Sequence, residues 1–228
     1  MTAMLEIKGL SVDIAGSSIL TNVALSIAQG SFAGLVGRNG AGKTTLMRTI
    51  MGLLPVRAGE LTFFGQDLRA MPARARAGLG IGYLPEDRRL VPDLTVEENI
   101  LVPAWATGDA EISQRLDFVY GLLPEVRALA ARRALALSGG QQKLAALARA
   151  LICGRRLLLL DEPFEGIAPA LARRIAEAIA ALQATGVSVL LSESDYVHSV
   201  DLVDRLYVIE RGVVTQRMQT RSAEIQNA

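Results

Sequence analysis

Gly37-Arg38-Asn39-Gly40-Ala41-Gly42-Lys43-Thr44-Thr45 fits the pattern G-x-x-x-x-G-K-[ST] at every fixed position. Before it runs Ser31-Phe32-Ala33-Gly34-Leu35-Val36, short and largely apolar, as a buried strand requires. After it, Leu46 and Ile50 fall at helical spacing within Lys43 to Met51. Strand, glycine loop and helix form the context that turns this pattern into a phosphate site rather than an ordinary glycine turn. The glycines let backbone N–H groups converge on phosphate oxygens with no Cβ in the way. The helix beginning at Lys43 adds its positive end. In this arrangement Lys43 reaches the β- and γ-phosphates and the Thr44 hydroxyl ligates Mg²⁺. The candidate nucleotide contacts are Gly37, Asn39, Gly40, Ala41, Gly42, Lys43, Thr44 and Thr45.

The chain has 228 residues, enough for one large domain or a domain with a subdomain. Hydrophobic residues make up half of it and aromatic residues only 4%, so the core is aliphatic. Its net charge of +1 lacks the basic excess of a nucleic-acid binder. The arginines at Arg69 to Arg76, Arg132-Arg133, Arg155-Arg156 and Arg173-Arg174 read as solvated faces or a protein–protein rim. A single cysteine, Cys153, excludes an intrachain disulfide and suits a reducing compartment. The first residues lack a signal-peptide plan, and no apolar run approaches the roughly 18 residues of a membrane span. The expectation is a cytoplasmic protein without direct membrane insertion, peripheral on the inner face of the membrane if a partner holds it there.

Leu5 to Lys8 alternates like an edge strand, and Ile19 to Ile27 reads as a second strand. Gly59 to Gly65 and Leu79 to Pro85 read as further strands. From Leu94 to Leu137 the texture turns helical. Thr95-Val96-Glu97-Glu98 is a capping box, and Ile112, Leu116, Val119 and Leu123 mark one helix face. Trp105 in this segment reads as subdomain core, or as part of a docking surface with Glu86 to Leu94. The α/β rhythm returns with a doubly buried strand at Leu157 to Asp161 and a helix at Ala170 to Leu182. A strand at Val187 to Leu191, a short helix at Ser194 to Val203, and strands at Arg205 to Glu210 and Val213 to Met218 complete the chain. The fold class expected is α/β, with a mostly parallel sheet, an N-terminal antiparallel β region and a helical insert. Residues 1–93 and 138–228 form the nucleotide-binding core and 94–137 the helical subdomain.

Two further motifs carry chemistry. Asp161 and Glu162 follow four leucines, at the strand end where ligands bind in open α/β sheets. Asp161 is placed to hold Mg²⁺, and Glu162, leaving the strand in another direction, to polarise the attacking water. In Leu137-Ser138-Gly139-Gly140-Gln141, Ser138 is an N-cap ahead of a helix at Leu144 to Leu151. The two glycines expose N–H groups at a second positive helix end.

A phosphate loop, a helical insert, Leu-Ser-Gly-Gly-Gln and then four aliphatic residues with Asp-Glu, in this order, resemble the ATP-binding-cassette ATPases over nearly the whole chain. Tyr83 to Asn99 and Glu162 to Pro169 look most like the ATPase subunits of branched-chain amino-acid importers, a subgroup shared with urea and amide importers. The resemblance implies ATP and Mg²⁺ as ligands and a head-to-tail dimer with a second ATPase subunit, identical or different. Each ATP would lie between one phosphate loop and Ser138, Gly139 and Gly140 of the other chain, and closure would drive membrane permease subunits.

Three positions depart from the family pattern. Glu86 stands where the family usually has a glutamine that touches Mg²⁺ and senses the γ-phosphate; a carboxylate there repels phosphate and leans on the metal. Ser194 falls on the switch histidine, and the only histidine, His198, lies four residues on and reads as a surface or core residue. A pH–rate profile without a step near the histidine value of about 6.5 follows. Ile14 lies near the family's adenine-stacking tyrosine, which implies weak base discrimination. The alternative to a hydrolysing importer subunit is a nucleotide-gated cassette with little turnover at its own site.

Overall fold

The computed structural model describes residues 3–108, 111–195 and 201–217. The first strands are longer than local alternation suggests. β1 (Ala3–Ile14) and β2 (Ser17–Ala28) form a hairpin. It turns through Ala15 and Gly16, with φ of 49° and 81°, the left-handed pair that matches strand twist. β4 (Ala58–Phe63) pairs with the other side of β1, and β5 (Gln66–Asp67) with β4. This antiparallel sheet has the order β2-β1-β4-β5, so β1 is internal, not an edge. Register shifts between Ile7 and Leu10 and between Leu10 and Val12 break the two-residue period, which is why only Leu5 to Lys8 alternates cleanly.

The second sheet contains β3 (Phe32–Val36), β6 (Ile81–Leu84), β7 (Leu157–Asp161), β8 (Ser188–Glu193), β9 (Arg205–Glu210) and β10 (Val213–Arg217). Its order is β10-β9-β3-β8-β7-β6. Only the β9–β10 pair is antiparallel. Each leucine from Leu157 to Leu160 in β7 is fully buried, worth roughly 2 kcal/mol apiece. The register pairs Val36 with Glu193 and Asp161 with Ser192, so β3, β7 and β8 end at one edge of the sheet. The loop after β3 and the residues after β7 and β8 therefore meet there.

The helices are α1 (Lys43–Ile50), α2 (Ala73–Gly78), α3 (Val96–Thr107), α4 (Ile112–Leu122), α5 (Pro124–Arg127), α6 (Gly139–Cys153) and α7 (Pro169–Ala181). Thr95 and Glu98 complete the capping box of α3, which continues through Pro103. Val119 and Leu123 are fully buried, while Ile112 and Leu116 pack half-buried against the same cluster. That cluster runs without a break from Ile100 and Val119 through Leu147 to Leu158 and Ile175, so the helical segment shares its core with the sheet. α6 begins at Gly139, ahead of the expected Leu144, because Ser138 caps the glycines into the helix itself.

Two further expectations fail. Trp105 is 55% exposed, so it is not subdomain core. Arg76, in a stretch expected to be solvated, is 2% exposed. Its guanidinium donates to the carbonyls of Thr49 (2.8 Å), Ile50 (2.7 Å), Met71 (2.9 Å) and Leu68. It thereby takes up the Ile50 carbonyl and joins the Gly52 N–H on the Thr49 carbonyl at the C-terminal end of α1, where a cation also suits the helix dipole. His198 and part of the helix expected at Ser194 to Val203 lie outside the described residues, as does Met218.

Candidate functional site

The loop after β3 is shaped by close approach. A Cβ on Gly37 would come within 2.3 Å of the Ile209 carbonyl oxygen on β9. Gly42, with φ of 114°, caps α1 in a conformation that L side chains rarely adopt. Among the described residues no side chain caps α1, so its first-turn N–H groups face the cleft rather than a neighbouring hydroxyl. The cleft, about 310 Å³, is lined by Ile19, Asn39, Gly40, Gly42, Lys43, Thr44, Thr45, Glu86 and Glu162. Ala41 faces a neighbouring hollow beside β9. Ile14 is exposed at the β1–β2 turn and does not line this cleft; Ile19 on β2 supplies its aliphatic wall.

Lys43 is buried, and its ammonium is already engaged. It donates to the Gly37 carbonyl, to the Arg38 carbonyl (3.2 Å) and toward Ser194 Oγ (3.4 Å), and lies 3.0 Å from Glu162 Oε1. Ser194 Oγ is 2.8 Å from Glu162 Oε1 and 2.7 Å from Asn39 Oδ1; its one proton serves one of them at a time. The Ser194 N–H donates to Glu162 Oε2 at 3.2 Å. Three groups, from the segments that follow β3 and β8, thus converge on the one carboxylate that follows β7. Glu162 reaches them because its φ of 48° is left-handed, turning its side chain away from the course of β7.

Asp161 is fully buried beside it. Its Oδ1 accepts from Ser192 Oγ (2.8 Å) and its Oδ2 from the Tyr83 hydroxyl (3.3 Å), and the Thr44 hydroxyl also bonds to it. Burial pushes the Asp161 carboxyl above its ordinary value, against the pull of these three hydroxyls. Partial burial, then the carboxylates of Glu165, Asp161 and Glu162, hold the Glu86 carboxyl above its usual value too.

Among the described residues, no three His, Cys, Asp or Glu side chains converge as a metal-binding group. The donors present are a hydroxyl on Thr44, the Asp161 carboxylate and, across the cleft, Glu86. Hard oxygen donors in so small a number fit a cation that keeps waters and takes the rest of its shell from phosphate, as Mg²⁺ does. A dication would also offset the mutual repulsion of these carboxylates.

Ser138, Gly139 and Gly140 do not line the cleft. Ser138 caps α6: its Oγ accepts from the Gln141 N–H (3.3 Å), and Gln141 Oε1 accepts from the Ser138 N–H (3.0 Å). Ser138 and Gly139 are exposed to solvent.

Sequence reasoning missed Ser192, Tyr83 and Ile19. A serine closing the otherwise aliphatic run Val189-Leu190-Leu191 was the one local signal for Ser192. The hydroxyl of Tyr83 was hidden within an ordinary strand.

A parallel sheet with a glycine loop leading into an uncapped helix, and acids at the end of the next strand but one, defines a phosphate-loop nucleotide-binding domain. The model of the ABC transporter family matches residues 20–165. The chain is 35% identical over 209 residues to a high-affinity branched-chain amino acid transport ATP-binding protein, BraG, of Pseudomonas aeruginosa, covering 92% of this chain and 90% of that one. It is 32% identical to the lipopolysaccharide export system ATP-binding protein LptB of Escherichia coli, covering 92% and 88%. A crystal structure of the ADP conformation of an ATP-binding cassette from an ABC transporter superposes with a TM-score of 0.82 at 26% identity, covering 96% of this chain and 92% of that one. The chain belongs to the ABC transporter family as an ATP-binding subunit, and this family hydrolyses ATP. No helix among the described residues is long and apolar enough to cross a membrane.

Proposed function

We propose that the chain is the ATP-hydrolysing subunit of an importer for branched-chain amino acids, working at the inner face of the membrane through permease subunits. The observation that carries the catalytic reading is the meeting of Lys43, Asn39, Ser194 and Glu162 at the mouth of the phosphate loop. The loop N–H groups and Lys43 bind the phosphates. Glu162 accepts a proton from the attacking water, and Ser194 orients the Glu162 carboxylate through its hydroxyl and its N–H. Thr44, Asp161 and Glu86 would hold Mg²⁺, which when bound offsets negative charge on the phosphates. Ser138 and Gly140 act on the ATP held by a second cassette, identical or different. Residues 94–137 serve as the helical subdomain that faces the permease, with Trp105 and Val102 exposed on α3.

Similarity to BraG supports the solute assignment. Similarity to LptB favours a second reading, an exporter of lipid-linked material. In cells lacking this chain, uptake of labelled leucine, isoleucine and valine is expected to fall and to return with the wild-type chain but not with Glu162→Gln. Unchanged uptake of all three with altered cell-surface lipid would support the exporter reading instead.

A further inference from the structure

Lys143 is 1% exposed, yet no carboxylate lies within salt-bridge reach of it among the described residues. Its ammonium has one hydrogen-bond acceptor, the backbone carbonyl of Glu162, at 2.7 Å. Burying an ammonium whose one hydrogen-bond partner is neutral is costly: burial, then the Arg88 guanidinium, pull the Lys143 ammonium below the usual lysine value, and the carboxylates of Glu165, Glu86 and Asp161 offset this only in part. An apolar side chain of similar length would avoid that cost, so packing does not account for lysine here.

What the contact does is visible in Glu162. The residue holds a left-handed conformation that a non-glycine residue avoids by about 1 kcal/mol or more. Such a conformation persists where its surroundings over-determine it. The Glu162 N–H donates to the Ser192 carbonyl (3.2 Å) and toward Ser192 Oγ (3.3 Å). The Glu162 carbonyl accepts from the Glu165 N–H (3.3 Å) and from Lys143. The first of these bonds belongs to the neighbouring strand and the turn bond to the same loop. Among the described residues only Lys143 ties the left-handed peptide to α6, the helix that Ser138 caps.

We propose that Lys143 is a positioning residue: by fixing the Glu162 carbonyl to α6 it sets the direction in which the Glu162 carboxylate points at the phosphate loop. The inference rests on the reading of Glu162 as the base. Removing the ammonium leaves the carbonyl its Glu165 N–H partner, so the chain folds while the carboxylate loses its fixed direction. A misplacement on the order of 1 Å at a catalytic group costs up to about a hundredfold in rate.

The test uses the full-length chain with ATP and Mg²⁺. Lys143→Met is expected to lower kcat by about 10- to 100-fold, with KM and the Kd for a fluorescent ATP analogue within about twofold of wild type. Lys143→Arg, which restores a buried cationic donor, is expected to recover most of kcat. Wild-type kcat in Lys143→Met overturns the proposal. So does a loss of kcat accompanied by an equal loss of nucleotide affinity and melting temperature, which would mark Lys143 as merely structural. If Lys143→Met does not fold, Lys143→Gln, too short to reach the carbonyl, is judged by the same criteria. Glu162→Gln is measured in parallel. If that variant turns over like wild type, the base assignment itself has failed; if it is inactive while Lys143→Met is active, only the positioning role has failed.

Discussion

The molecule carries two glycine-rich helix starts, and they are built in opposite ways. α1 begins at a left-handed glycine with no side-chain cap, buried at the mouth of a cleft, beside a lysine already reaching into it. α6 begins at Ser138 with a complete capping box and stands exposed. The first keeps its N–H groups for a ligand. The second has two of its end groups satisfied within the chain and presents the remainder to solvent. A helix end that is stable alone yet exposes Gly139, with Gly140 half-buried behind it, suits a ligand brought to it from outside, such as a nucleotide seated on another cassette. On the proposed function, that contrast is between a seat and a lid.

The largest effect should come from breaking the seat. Lys43→Ala is expected to reduce ATP turnover by about a hundredfold or more, since on the proposed function it removes the cation that binds the phosphates; turnover assays at saturating ATP read this. The other end of α1 comes next. Arg76→Met strips a buried guanidinium from several carbonyls and should destabilise the fold by about 2–3 kcal/mol, measured by denaturant unfolding. At the lid, Ser138→Ala should cost only about 1 kcal/mol of stability and leave ATP affinity of the isolated chain unchanged, as isothermal titration would show.

The smallest effect concerns the other capping box. The Thr95 backbone N–H donates to Glu98 (2.7 Å) and holds its carboxyl below the ordinary 4.5. The folded value is the lower one, so this contribution is present above pH 4.5 and is lost as pH falls through the folded value. Glu98→Gln, which removes the titrating carboxylate, should flatten the acid limb of stability against pH. An unchanged limb would show that the cap contributes nothing there.

How much of this was legible depends on how local each feature is. The phosphate loop, both capping boxes and the β7 leucines are written in consecutive residues, because strand, loop and cap chemistry act over a few positions. Ser192 and Tyr83 hold Asp161 across strands, Lys143 reaches Glu162 from a helix, and Arg76 reaches α1 from α2. A polar side chain carries no sign in sequence of which distant carbonyl or carboxylate it will meet. Arg76 lay among arginines that composition assigns to solvent, and Trp105 looked like core because an apolar ring in a helical segment has two possible faces. Ser194 was placed by motif alignment alone; its contact with the Glu162 carboxylate depends on the parallel register of β7 and β8.

The central claim, that seat and lid belong to one nucleotide shared by two chains, is tested by ATP-dependent dimerisation. Glu162→Gln, expected to slow hydrolysis if Glu162 is the base, should form a dimer with ATP in sedimentation velocity. Adding Ser138→Asp, which keeps the cap but sets a carboxylate against phosphate, should abolish the dimer while each monomer still binds ATP. A dimer that persists in the double variant would contradict the account.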